Sequence, residues 1–360
     1  MSSFMSTGRM VLSALAATLV VVACGSTSNA PATVDVGSGA LTGAGSTFDK
    51  PLFDKAFFDY NAKYSQVTVN YQGVGSGAGI QQFIKNTVDF GATDVPMGSS
   101  DITSAGGPDT LTQIPVTLGV VAIAYNVSGI STLNLDSDTL AKIFLGQIKK
   151  WNDPAIAALN NGASLPSTPI TVEHRSDGSG TTYIFTDYLS KVSSDWKTQV
   201  GVGKSVKWPV GVGGSGNPAV AQGITSTSGA IGYVELAYAV QANMHTALLK
   251  NANGKFIAPT VAGATAAAGQ NSSVSATNYS ITNEPGDTTY PIAGFSWVIL
   301  RTSYTDAAKG RAVAYLMKWL VTDGQSEGKD LQYAPLPKAV QDLALSNLKL
   351  IKAGGSAVLS

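Results

Sequence analysis

The 360-residue chain has almost none of the side chains that carry thiol and imidazole chemistry: one cysteine, Cys24, and two histidines, His174 and His245. A single cysteine excludes a disulfide or a thiolate metal site within one chain, and two histidines without clustered ligands argue against a catalytic metal. Charge is scarce as well. Only 13% of residues are charged, and 23 basic side chains offset 23 acidic ones, so the formal net charge is zero. No global field draws in nucleic acid or an acidic membrane, and any anion chemistry must be local. What the chain does have is 44% hydrophobic residues and 39 glycines. That is ample material for a core, it excludes global disorder, and the length suits two domains of ordinary size.

The N-terminus reads as a targeting segment. Arg9 supplies a positive region and Val11 to Ala23 an apolar one, shorter than the roughly 20 residues of a spanning helix. It ends in Val21-Val22-Ala23-Cys24, a pattern that resembles the bacterial lipobox, in which the cysteine is lipidated and becomes the mature N-terminus. The competing reading is a plain signal peptide beside a chance cysteine. Removing residues 1–23 takes away Arg9 and no acid, leaving a net charge near −1. The expectation is an exported protein, lipid-anchored to the outer face of the cytoplasmic membrane or periplasmic. Residues 24–39 serve as its flexible tether.

Beyond the tether, short apolar runs alternate with amphipathic helical patterns, which predicts an α/β fold. Leu52, Phe53, Ala56, Phe57 and Tyr60 lie at helical spacing. So do Ile80, Phe83, Ile84 and Val88, and again Ile184, Phe185, Tyr188 and Leu189. Strands are predicted at Val67–Tyr71, Val116–Tyr125, Ile170–Glu173, Ala230–Val234 and Phe295–Leu300, and late helices near Asp306–Thr322 and Lys338–Leu350. Residues 261–280, rich in Ala, Ser, Thr and Asn, read as a loose surface excursion.

The three early helices share what precedes them: LTGAGSTF (41–48), YQGVGSGAG (71–79) and RSDGSGTT (175–182). Each has glycines, then a Ser or Thr at the expected N-cap. Glycine lets backbone approach a ligand closely, and the first helical N–H groups lack intrahelical acceptors. Such an end attracts oxyanions. One instance is explained by ordinary capping. Three together, with Arg175 as a guanidinium fork, point to a shared oxyanion site. Asp177, two residues from Arg175, looks misplaced beside an anion.

Two other chemistries fit poorly. VGVGKSV around Lys204 looks like a phosphate loop, but the position five residues before Gly203 is Thr198 rather than glycine. His174, Asp177 and Ser179 contain the residue types of a hydrolase triad, yet they are nearly adjacent. A Gly-x-Ser-x-Gly elbow would need glycines at 177 and 181, which are Asp and Thr.

At these segments the chain resembles the phosphate-binding proteins of the bacterial phosphate-specific ABC importer, the PstS family. Further matching segments are NTVDFGATDVP, IFLGQIKKWNDPAI, VKWPVGVGGSGN, GAIGYVELAYA and YAPLP, in order. The resemblance runs from about Leu41 to Leu350 and is poor over 250–289. It implies a two-lobed, type II periplasmic-binding fold, with lobe 1 from 40–120 plus 293–360 and lobe 2 from 121–292. Two hinge strands would cross near Val120–Ala122 and Ile292–Phe295. It further implies phosphate held by Thr47 and Phe48, Ser76, Asp94, Arg175, Ser179, Gly180 and Thr181. Asp94 would accept the ligand's proton and Asp177 would hold the Arg175 guanidinium. Ser46, Gly77 and Thr93 depart from the family pattern without obvious consequence.

The function so implied is phosphate capture and delivery to ABC permease subunits with their cytoplasmic ATPase. It requires no cofactor, no metal, no catalysis and no nucleic acid, and a monomer suffices. Alternatives are another oxyanion (arsenate, sulfate or molybdate), a secreted phosphoester hydrolase using Ser179, or a surface adhesion or sensing protein that kept the fold after losing transport.

Overall fold

The structure, a computed structural model, describes residues 34–359. The predicted signal segment, Cys24 and the tether up to residue 33 lie outside the described residues. From Val36 onward the chain forms one compact unit.

Nine strands make its main sheet: β1 (Gly39–Gly45), β2 (Val67–Gly73), β3 (Phe90–Thr93), β4 (Leu111–Asn126), β5 (Thr171–Arg175), β6 (Val212–Gly214), β7 (Ala230–Glu235), β8 (His245–Thr246) and β9 (Ala293–Arg301). Their order is β2-β1-β3-β9-β4-β7-β5-β6, with β8 also paired to β4. The central strands are largely apolar because both faces are covered. Every residue of β4 but Asn126 is buried, and every residue of β9 but Arg301. The long β4 gives residues 111–120 to β9 and residues 121–126 to β7. Two sub-sheets therefore hang on one strand. The chain comes back beside the same point, where the Val121 N–H donates to the Ile292 carbonyl at 2.9 Å.

Four glycine-led helices follow parallel strands: α1 (Lys50–Lys63) after β1, α2 (Ser76–Ile84) after β2, α3 (Gly180–Val192) after β5 and α4 (Gly216–Ser226) after β6. Ligands of open α/β sheets bind outside the carboxyl ends of such strands. The helix α3 is anchored by Ile184, Phe185, Tyr188 and Leu189, all buried, and each such side chain contributes ~1.5–3 kcal/mol. The Phe185 ring stacks on Tyr233 with centroids 4.5 Å apart, which fixes the helix start against β7.

Two expectations need correction. The hydroxyl residues are not all N-caps. Ser179 is one, its Oγ accepting the Thr182 N–H at 3.0 Å. Ser76 is already the first residue of α2, with Gly75 before it at φ 89°. At α1 the cap position is Asp49, and Thr47 stands two residues before that cap. A tight glycine turn can thus be followed by the helix at once or after a short bend, and composition does not distinguish the two.

The segment 261–280 is not loose throughout. Val261–Ala268 forms α5, capped by Thr260, with Ala264, Ala267 and Ala268 buried against β4 and β9. Alanine is the strongest helix former, and its small side chain packs a shallow face that looks like low complexity in sequence. Residues 269–280 are turns and bridges. The late helices are α6 (Ala307–Leu320), capped by Asp306, and α7 (Lys338–Leu348).

Candidate functional site

The helix starts converge, and they do so across the junction of the two sub-sheets. Gly77 N–H donates to the Gly178 carbonyl at 2.8 Å, joining the second glycine turn to the third. Gly180 N–H donates to Ser76 Oγ at 3.1 Å. Glycine is required by this contact rather than by the turns alone. A Cβ on Gly77 would stand 3.1 Å from Gly178 Cα, and one on Gly75 would lie 2.2 Å from Asp177 Oδ2. The glycines let backbone meet backbone.

Arg175 is 2% exposed at the end of β5. Its Nε lies 2.7 Å from Asp177 Oδ1 and one terminal nitrogen 2.5 Å from Asp177 Oδ2, a bidentate pair. The Gly216 N–H, at the start of α4, donates to Asp177 Oδ1 at 3.0 Å. Burial pushes against ionisation of Asp177, but the Arg175 contacts outweigh it and hold the carboxyl below its usual range. Asp177 therefore fixes the guanidinium and cancels its net charge, while the other terminal nitrogen faces Thr181 Oγ1 at 3.5 Å. The acid that looked misplaced is the guanidinium's support.

Asp94 follows β3 and is 2% exposed. Its Oδ1 accepts from Ser296 Oγ at 2.9 Å, and its Oδ2 has no hydrogen-bond partner. Burial raises its pKa to about 6, opposed by the Ser46 and Ser296 hydroxyls and by the Arg175 charge. The helix α3 begins directly against it. A Cβ on Gly180 would lie 2.5 Å from both Asp94 Cβ and Oδ2. Gly180→Ala is accordingly expected to leave the fold intact and weaken anion binding about 10- to 100-fold, since overpacking a tight contact costs ~1–3 kcal/mol. Calorimetry on the variant and a melting curve without ligand separate the two effects.

The remaining predicted residues take these places. Thr47 Oγ1 accepts from Asn217 N at 3.1 Å and from Asn217 Nδ2 at 3.0 Å. Asn217 Nδ2 also lies 3.2 Å from Thr181 Oγ1, so it ties the first helix start to the third. Phe48 N–H is taken up by Ser46 Oγ at 2.9 Å, and its carbonyl accepts from Tyr333 at 2.5 Å. Ser179 N–H donates to the Lys204 carbonyl; its hydroxyl accepts from Thr182 and keeps its own proton to donate. Lys204 itself pairs with Asp101 at 3.4 Å, which places it in a link between the sub-sheets. His174 stacks on Trp208 with centroids 4.7 Å apart, and burial lowers its pKa. Its ring is part of an aromatic layer, and no triad with Ser179 is formed.

Sequence reasoning missed four participants. Asn217 belongs to a fourth glycine-led helix start, GGSGN, whose Ser215-Gly216 pair repeats Ser76-Gly77 and Ser179-Gly180. That signal was available. Ser46, set aside as a neighbour, holds the Phe48 N–H and helps to lower the Asp94 pKa. Ser296 and Asp49 carry no local signature: a serine inside a buried strand and an acid at a helix start are everyday residues. Among the described residues, no group of three His, Cys, Asp or Glu could hold a metal ion, and no helix is long and apolar enough to cross a membrane.

Residues 30–323 match the family model of the PBP superfamily domain. The phosphate-binding protein PstS of Xylella fastidiosa is 43% identical over 317 residues, 87% of this chain and 86% of the relative. That of Pasteurella multocida is 44% identical over 304 residues, 83% and 87%. Among solved structures, the phosphate-bound periplasmic phosphate-binding protein PfluDING superposes with TM-score 0.68 at 23% identity, over 86% of this chain and 93% of that one. A phosphate ABC transporter substrate-binding protein from Clostridium perfringens gives 0.61 at 15%, over 83% and 100%. Both structural likenesses bear on the fold.

Proposed function

The chain belongs to the PstS family of phosphate-binding proteins, and from that premise we propose that it captures inorganic phosphate for ABC import with the residues gathered at its glycine-led helix starts. The observation that carries the site assignment is Asp94 Oδ2, a buried carboxylate oxygen without a partner beside convergent donors.

Each donor has a place in this reading. The hydroxyls of Thr47, Ser76, Ser179 and Thr181 and the free edge of the Arg175 guanidinium face the phosphate oxygens, and the backbone N–H groups of Phe48 and Gly180 exchange their Ser46 and Ser76 acceptors for phosphate on binding. Phosphate retains at least one proton at neutral pH, and Asp94 accepts the hydrogen bond from it. A neutral hydrogen bond contributes ~0.5–1.5 kcal/mol and a charge-assisted one ~1.5–3, so tight binding takes the whole set. The Arg175–Asp177 pair is neutral as a unit and leaves no sink for any anion. Sulfate lacks a proton at this pH, so Asp94 can only repel it. Arsenate is protonated as phosphate is and shares this chemistry. The lobes, 40–120 plus 293–360 and 121–292, close about β4 and β9, and the closed form is the one the permease recognises.

In the same reading the chain performs no covalent chemistry, acts as a monomer and is tethered outside the cytoplasmic membrane through lipidated Cys24. Calorimetric titration of the purified protein should give one phosphate per chain, and a phosphomonoester should release none. Phosphate release that disappears in Ser179→Ala would overturn the reading in favour of a hydrolase. Mass spectrometry of the membrane fraction tests the anchor on Cys24.

A further inference from the structure

Asp49 makes none of the contacts assigned to phosphate, yet it is fully buried and one of its carboxyl oxygens, Oδ1, has no partner. Its other oxygen meets Ser296. Ser296 Oγ lies 2.6 Å from Asp49 Oδ2 and 2.9 Å from Asp94 Oδ1, with the Thr93 carbonyl farther off at 3.4 Å. A hydroxyl carries one proton. It cannot donate to both carboxylates, and two ionised carboxylates on either side of it would leave one facing a lone pair. One of the two acids must therefore supply a proton to Ser296.

The surroundings decide which. Asp94 has the Arg175 charge, the Ser46 hydroxyl and a Thr181 backbone N–H to favour its ionised form. Asp49 has none of these. The titratable groups that act on it or feel it are Asp94, Glu235, Tyr71, Tyr238 and Tyr333, and none brings a positive charge. Its chain neighbour Lys50 pairs instead with Asp54 at 2.7 Å. A bare carbonyl oxygen of a neutral acid also costs far less to bury than half of a carboxylate. Burial, and then the Asp94 charge, push the Asp49 carboxyl well above its ordinary range.

The strand is built for this contact. The pairing of β9 with β4 shifts register between Ser296 and Trp297, with Thr117 opposite the serine and Pro115 opposite the tryptophan. Such irregularities re-aim a side chain, and Ser296 is the residue at the shift.

We propose that Asp49 is a positioning residue for phosphate selectivity: as the neutral acid it donates to Ser296 Oγ, turns the serine's proton onto Asp94 Oδ1, and leaves Asp94 Oδ2 to accept the ligand's proton. The proposal rests on the reading of Asp94 as the phosphate acceptor. No bond other than hydrogen bonds changes, and the proton stays on Asp49 throughout. A second consequence follows for Ser296. Its hydrogen bond favours the ionised Asp94, so Ser296→Ala should raise the pH at which selectivity against sulfate fails.

The test combines infrared spectroscopy with calorimetry on full-length mature protein. At about pH 8, the wild-type minus Asp49→Asn difference spectrum should contain the carbonyl band of a protonated carboxylic acid; any band from Glu235 is common to both proteins and cancels. The asparagine amide also donates to Ser296, so phosphate affinity in Asp49→Asn should stay within about threefold of wild type and sulfate should remain excluded. Ser296→Ala should lower phosphate affinity about tenfold, the equivalent of one hydrogen bond, and move the pH profile upward. Absence of the acid band, or a gain in both phosphate and sulfate affinity in Asp49→Asn, would show Asp49 to be a buried charge and overturn the proposal. Failure of the wild type to bind phosphate would instead remove the functional reading, and the infrared result would stand apart from it.

Discussion

Arg175→Ala is expected to weaken phosphate binding about 30- to 5,000-fold, because truncating one partner of a buried, hydrogen-bonded charge pair costs ~2–5 kcal/mol. The substitution removes the full positive charge of the site. It also strands Asp177, whose remaining backbone donor outside its own turn is the Gly216 N–H at 3.0 Å. That orphaned carboxylate then faces the anion. Arg175→Lys should recover only part of the loss, since an ammonium on a flexible stem cannot reproduce the fork that meets both Asp177 oxygens. Removing Asp177 as well should cost less than the two single changes added together, as expected for residues acting through one contact. Calorimetric dissociation constants for the two single variants and the double variant check this. An Arg175→Ala affinity within threefold of wild type would remove the guanidinium from the site.

Asp94→Asn carries the second large effect, and it falls on selectivity. The carboxylate oxygen that repels sulfate becomes part of an amide that can donate to it. A site built around one hydrogen bond rejects an analogue lacking the donor by up to ~10⁴–10⁵ fold, so the phosphate-to-sulfate affinity ratio should collapse by several orders of magnitude in the variant. Acid should act on the wild type in the same direction. As pH falls through about 6, Asp94 takes up a proton, and sulfate should begin to compete. The stability consequence has the opposite sense to the binding one. A carboxyl whose folded pKa lies above the ordinary 3.8 favours folding fully below that value, and the contribution is lost as pH rises through about 6. Ligand-free Asp94→Asn should therefore melt higher than wild type at about pH 8, with the gap closing near pH 4. Equal melting temperatures at both pH values would contradict the burial of an ionised Asp94.

The legible part of this protein was the part written in local patterns. The apolar runs marked the buried strands, and the helical spacing of Phe53, Phe57 and Tyr60 marked α1. The recurrence of glycine before Ser or Thr marked where helix starts converge. Boundaries were harder, because Ser76 and Thr47 sit on different sides of their helix starts despite the same spelling. The alanine-rich α5 looks loose in sequence because its packing face is made of methyl groups rather than large side chains. The supporting residues were invisible for another reason. Asp49 and Ser296 are brought together from positions nearly 250 residues apart, and only the sheet order sets them side by side. Asn217 lay in between: its motif was in the sequence, while its bonds to Thr47 and Thr181 needed the fold.

The central claim is that a buried, ionised Asp94 selects a protonated oxyanion. Titration of the wild-type protein with phosphate and with sulfate, at about pH 8 and again at about pH 5, tests it most directly. One phosphate should bind per chain at both pH values, while sulfate should give no heat at the higher pH and measurable binding at the lower. Sulfate binding at about pH 8 with an affinity equal to that of phosphate would contradict the account.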